Sequence, residues 1–278
     1  GAQADKQPKT VLPIDGKWRE LGSNNQSGRT VYTYFEESTS QIYTAADGGQ
    51  IWKGEPGSDN WSSINDHLKI PAIRFMRRFE EQDYSRLLVH SAQWNVIGIL
   101  HSDDEGQNWM AATGLESILN WGFIKRTIVQ AKKEKTIYCL SQEWDYNAGH
   151  AVSHIYKSSD LGTSFELVHV FDHNVDYVDI WTSGKDESFV YVMSMDAFYY
   201  IDESDQLVSV ASLPNTEYGN TLLTGFDTGD GILFYSMIRF SGQSHFYASD
   251  MDGQNWIEKG SHSQGPFMVN SFAASSLD

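Results

Sequence analysis

Apolar and polar residues alternate in short runs along most of the chain, and Gly, Asp, Asn and Ser break the runs. A period of two marks half-buried strands, and no long stretch carries the 3.6-residue spacing of an amphipathic helix. An all-β chain is predicted.

The turns between runs repeat. "SDDEGQNW" at Ser102–Trp109 returns as "SDMDGQNW" at Ser249–Trp256. Aligning on the closing aromatic brings in Ser158–Phe165 and, more loosely, Gly54–Trp61, so the turns fall near 54–61, 102–109, 158–165 and 249–256. Weaker copies end at Trp18 and Val208, and the six positions stand 43, 48, 56, 43 and 48 residues apart. That spacing fits one four-stranded propeller blade of about 40–50 residues. The third unit parses into "FIKRTIVQA", "KTIYCLSQ", "HAVSHIYKS" and "SFELVHVF", the fifth into "TLLTGFD", "ILFYSMIRF", "SHFYASD" and "NWIEKG".

The expectation is one β-propeller domain over 11–278 with five complete blades. A sixth is assembled from two strands at the start of the chain and "PFMVNSFAASS" at its end. The alternative is part of a larger, seven- or more-bladed ring. Residues 1–10, small and polar, read as a linker or a mature N-terminus.

Ser-x-Asp-x-Gly-x-x-aromatic between a third and a fourth strand resembles the Asp-box, or BNR repeat, of sialidases, xyloglucanases, sortilin-type receptors and photosystem II assembly propellers. The residues in question are Ser102, Asp104, Gly106 and Trp109, then Ser158, Asp160, Gly162 and Phe165, then Gly253 and Trp256, where Met251 occupies the aspartate position. Such residues suit a staple: Ser and Asp side chains accept hydrogen bonds from turn amides, Gly permits positive φ, and the aromatic fills the space beneath. The resemblance implies that the boxes mark the face opposite the ligand-binding mouth.

Function is then sought in the loops joining strands two and three and those joining strand four to the next blade. They carry Trp94, Trp121, Glu143, Trp144, Tyr146, Asp176, Asp179, Glu217, Tyr218 and Arg239. Aromatic rings stack on the apolar faces of sugars, and carboxylates bond their hydroxyls. A glycosidase needs two carboxylates about 5–10 Å apart. Asp179 and Glu217 are the first choice, with Asp176 and Glu143 in reserve. Trp94, Trp121, Trp144, Tyr146, Tyr218 and Arg239 are the expected ligand contacts. Arg239, ahead of a box, is similar to one arginine of the sialidase carboxylate-binding triad, whereas Lys69 in "LKIPAI" replaces the arginine of the Arg-Ile-Pro signature.

Composition narrows the classes further. Thirty-seven acidic against 20 basic residues give a net charge of −17, which repels nucleic acid. No apolar run approaches the ~18–20 residues of a membrane span. The one cysteine, Cys139, lies in an apolar run and reads as buried and inert. His150 and His154, like His169 and His173, stand four apart on predicted strands, about 13 Å, too far to share a metal. "DHNVDYVD" lacks the Gly and Glu of an EF-hand. Phosphate loops and nucleophile elbows are missing. Neither metal nor cofactor is expected. The reading is a secreted, periplasmic or cell-surface protein that binds a glycan at the propeller mouth, with hydrolysis as a further step. A non-catalytic propeller holding a protein or glycan partner is the alternative.

Overall fold

The computed structural model describes residues 29–80, 83–92, 98–119, 122–130, 136–172, 177–183, 189–194, 197–213, 220–240, 242–263 and 273–274. Among them are twenty strands in five sheets, and each sheet is a four-stranded antiparallel meander. The first holds β1 (Thr30–Glu36), β2 (Gln41–Ala46), β3 (Ile51–Gly54) and β4 (Trp61–Ser63). The second holds β5 (Ile73–Glu80), β6 (Ser85–Ser91), β7 (Ile99–Ser102) and β8 (Met110–Ala111). The third holds β9 (Phe123–Gln130), β10 (Thr136–Asp145), β11 (His150–Ser158) and β12 (Glu166–Phe171). The fourth holds β13 (Asp179–Trp181), β14 (Val190–Met193), β15 (Ala197–Ile201) and β16 (Leu207–Ser212). The fifth holds β17 (Asn220–Asp227), β18 (Ile232–Phe240), β19 (Gln243–Met251) and β20 (Trp256–Ser263).

These are the five complete units that the repeat spacing predicts. The linker at 1–10, the Trp18 copy and nearly all of "PFMVNSFAASS" lie outside the described residues, and so does any sixth blade.

The sheets stack face to face, and the period-two pattern explains how. On β10 the odd residues Ile137 and Cys139 join Leu88 and Ile99 of the second sheet, while the even residues Tyr138 and Leu140 join Ile180 and Val192 of the fourth. A strand buried on both faces reads as a continuous apolar run, and "TIYCL" is one. Further clusters sit between the first and second sheets, around Tyr43 and Met76, and between the fourth and fifth, around Phe198 and Phe234. Cys139 is fully buried, and burial pushes its thiol far above the ordinary range, followed by the Glu143 charge.

The first strands β1, β5, β9, β13 and β17 are innermost. Lys125 on β9 donates to the carbonyls of Val178 (2.6 Å) and Thr221 (3.1 Å), beside β13 and on β17. Arg126 donates to Ile180 (3.2 Å) and Leu223 (3.2 Å) in the same two sheets. Two neighbouring side chains therefore tie three sheets together at the axis.

Candidate functional site

The repeated turns mark one face of the molecule. Between β7 and β8, the Ser102 hydroxyl donates to Asp104 Oδ1 (2.8 Å) and accepts from the Gly106 amide (2.8 Å). Asp104 also accepts from the Asn108 amide and side chain at 2.8 and 2.6 Å, which together hold its carboxyl below the usual range. Trp109 Nε1 closes the turn on the Gly106 carbonyl (2.9 Å). Ser158, Asp160, Gly162 and Ser164 repeat the network between β11 and β12, with Phe165 buried beneath. Burial works to raise the Asp160 pKa, and the Ser164 side-chain and backbone bonds outweigh it, leaving a net depression.

The copy with Met251 corrects the reading that its aspartate is lost. Asp250, one residue earlier, accepts from the Asn255 amide (2.9 Å) and its side chain, while Met251 points half-exposed to solvent. Trp256 Nε1 still meets the Gly253 carbonyl (2.9 Å). The Val208 copy departs further: a tight Asp202–Gln206 turn, in which Asp202 caps the Ser204 and Gln206 amides, replaces the octapeptide.

Each of these turns also packs on the preceding sheet. A Cβ on Gly162 would stand 2.5 Å from Leu88, and one on Gly253 2.3 Å from Phe198. Arg86 on β6 grips Asp103 with two bonds (2.6 and 2.7 Å) and extends to the Asp160 carbonyl (3.2 Å) and Thr163 hydroxyl (2.5 Å) of the next sheet's turn. Lys157 on β11 likewise holds Asp205 in the fourth sheet's turn. All these groups serve one face, leaving the β2–β3-type connections and the passages between sheets on the other.

On that second face the β10–β11 hairpin carries the best-defined cluster. Asp145 caps the amides of Asn147 (2.7 Å) and Ala148 (3.1 Å), bonds that fix the hairpin tip and lower the Asp145 pKa. Trp144 is 45% exposed and Tyr146 72% exposed, so two large rings stand in solvent beside this rigid tip. His150 meets Asp172 (2.8 Å), whose carboxylate raises the imidazole pKa. Beneath them Glu143 is buried: Tyr156 donates to its Oε1 (2.5 Å), and His154 Nδ1 lies 2.9 Å away without the alignment of a hydrogen bond.

Asp179 opens β13 at the axis and is fully buried. Its Oδ2 accepts from the Leu223 amide (2.8 Å) and pairs with Arg126 (3.0 Å), while Oδ1 meets no donor among the described residues. Arg239, near the mouth end of β18, faces Asn220 and Ser244 across the sheet.

The arrangement of sheets is shared with solved structures. A xyloglucanase of family GH74 from Xanthomonas campestris is 13% identical over 84% of this chain and 38% of its own, with a TM-score of 0.53. A structure described as YCF48 bound to D1 peptide is 13% identical over 79% of this chain and 64% of its own, with a TM-score of 0.52. The GH74 enzyme of Niastella koreensis gives 17% identity over 78% of this chain and 29% of its own, at 0.48. This fold is a β-propeller. The chain spans less than two thirds of each of these relatives' lengths. No family model matches the sequence, nor does any curated protein.

In propeller terms, Glu143, Trp144 and Tyr146 share one blade's β10–β11 hairpin, whereas Asp179 sits inward at the axis. Trp94, Trp121, Asp176, Glu217 and Tyr218 lie outside the described residues, so the Asp179–Glu217 pairing does too. No helix among the described residues is long and apolar enough to cross a membrane, and no group of His, Cys, Asp and Glu there could hold a metal. Reading the loops alone missed Lys125 and Arg126. The signal was present in "FIKRTIVQ", where two cations interrupt a strand otherwise written for the interior.

Proposed function

We propose that the chain is an Asp-box propeller acting on carbohydrate outside the cell, and that it binds a glycan at the mouth across the β10–β11 hairpin. The observation that carries this reading is the exposure of Trp144 and Tyr146 on a tip fixed by Asp145. Exposed rings on rigid backbone lose little entropy on stacking against a sugar, and the adjacent Asp145 and His150–Asp172 pair offers acceptors and donors to hydroxyls. The repeated turns commit their Ser and Asp side chains to bonds within the turn. A xyloglucanase among the fold neighbours supports the carbohydrate reading.

Among the described residues, the geometry supports binding and presents neither of the expected catalytic carboxylates for hydrolysis. A glycosidase requires one carboxyl to give a proton and a second to attack or activate water. Asp179 is fully buried against Arg126, and Glu143 lies under Tyr156, so neither presents a carboxylate to a bound sugar. The fold neighbour described with a D1 peptide supports a second reading, a peptide seated on the same face.

A panel of neutral and acidic oligosaccharides, scored by thermal shift, calorimetry and product release, tests both. Binding without cleavage, weakened at least tenfold by Trp144→Ala, is the expected result. Turnover abolished by Asp179→Asn or Glu217→Gln would establish the hydrolytic reading instead. A chain that ignores every sugar yet captures peptides would favour the second.

A further inference from the structure

Register shifts recur where the inner strands leave the mouth. Thr30 and Tyr32 pair with consecutive residues of β2, Ile73 and Phe75 with consecutive residues of β6, and Ile124 and Arg126 with consecutive residues of β10. The bulged residues are Val31, Arg74 and Lys125, at equivalent places in three successive blades. A bulge re-aims a side chain and is over-represented beside functional sites. Two of these three residues are cations, in a protein of net charge −17.

The Lys125 ammonium shows where this position leads, since it crosses to carbonyls of two other blades at the axis. Arg126 follows it there, with a guanidinium that is partly exposed and shared with Asp179. Arg74 is exposed and has no ion-pair partner among the described residues. It stands close enough to His90 for its charge to press that imidazole pKa down, after the larger effect of burial. The strand ends away from the mouth carry the opposite sign, at Glu36, Glu80 and Asp227. Arg77 and Arg78 lie further along β5, where Arg78 is paired with Glu80 and Glu105, so Arg74 is the cation of that inner strand nearest the mouth, without an ion-pair partner among the described residues.

We infer that the mouth end of the axis holds the anionic group of an acidic glycan, carboxylate or sulfate, with Arg74 as the contacting residue. Behind it stand Lys125 and Arg126, whose two positive charges are offset in part by Asp179. Arg74 brings the planar fork that matches either oxyanion. The acidic surface elsewhere repels polyanions, so a charged sugar is retained only where the local field is reversed. This rests on the glycan reading above and adds the charge class of the sugar.

The test uses the full chain with oligogalacturonate and its methyl ester, which keeps the sugar and removes the charge. Sulfated galactan oligomers form a second arm, separating sulfate from carboxylate. Calorimetry is expected to show at least tenfold tighter binding of one anionic series over the ester. Arg74→Met should erase that difference without altering the melting temperature, while Arg74→Lys restores part of it. Equal affinity for acid and ester, or a preference that survives Arg74→Met, overturns the inference while leaving the glycan reading standing. Failure of every sugar, charged or neutral, removes both.

Discussion

Single residues in this protein carry two constraints at once, and Gly253 is the sharpest case. Its φ of +74° suits glycine, and a Cβ there would stand 2.3 Å from Phe198 of the preceding blade. Gly253→Ala should cost about 1–2 kcal/mol for the left-handed backbone and about 1–3 more for the clash, read by denaturant unfolding. His90 makes a pH prediction. Its Nε2 meets the Ile124 carbonyl and its Nδ1 the Thr127 hydroxyl, a pairing that suits the neutral ring, and burial lowers its pKa from 6.5 to about 3. The unfolded chain takes up this proton below about pH 6.5 and the native state does not, so stability falls from there towards pH 3. Buried His101 shifts the same way, and the exposed His150–Asp172 pair opposes them weakly. Unfolding at pH 7.5, 6.5 and 5.5 should show the decline, and His90→Asn should flatten it while lowering stability throughout. An equally steep fall in the variant would contradict the assignment. The sequence shows that the Ser102 and Ser158 turns are alike, but letter-by-letter alignment hides Asp250, because a hydrogen-bonding role can move one place along a loop without leaving it.

At the scale of elements, alternation and turn chemistry made the strands legible. Both blades parsed from sequence, the third and the fifth, have their four strands where the runs of "TIYCL" and "ILFYSMIRF" place them. What stayed hidden is what passes between blades, since a side chain's partner in another sheet leaves no local trace. Arg86 is the example: buried itself, it joins Asp103, about a third exposed, to the Asp160 carbonyl of the next blade. Arg86→Met leaves Asp103 uncompensated and should cost about 2–3 kcal/mol, less than a fully buried pair because water still reaches the carboxylate. Adding Asp103→Asn should recover part of the loss, and a double-mutant cycle on unfolding free energies measures the coupling. The mouth hairpin was half legible. Trp144, Tyr146 and Glu143 were nominated from their loop address, but the division between exposed rings and a carboxylate buried under Tyr156 depends on strand register.

For the molecule as a whole, the repeat spacing announced a propeller, and five blades stand where it placed them. The axis was not announced, because strand addresses carry no distances. Lys125 and Arg126 each need acceptors from blades four and five, so their bonds cannot form in pairs of blades taken separately. Lys125→Met should therefore weaken the ring beyond its own blade, with faster amide hydrogen exchange at Val178–Ile180 and Thr221–Leu223 as well as in β9. Protection lost from β9 alone would show that the link is idle.

The same two side chains bear on how the ring is made. During folding, neighbouring meanders can collapse on their apolar faces, but neither cation reaches its carbonyls until blades four and five stand beside the third. Until then both cations remain hydrated and add nothing to cohesion. Their bonds therefore reward the three blades together, which hydrophobic stacking of any two does not do.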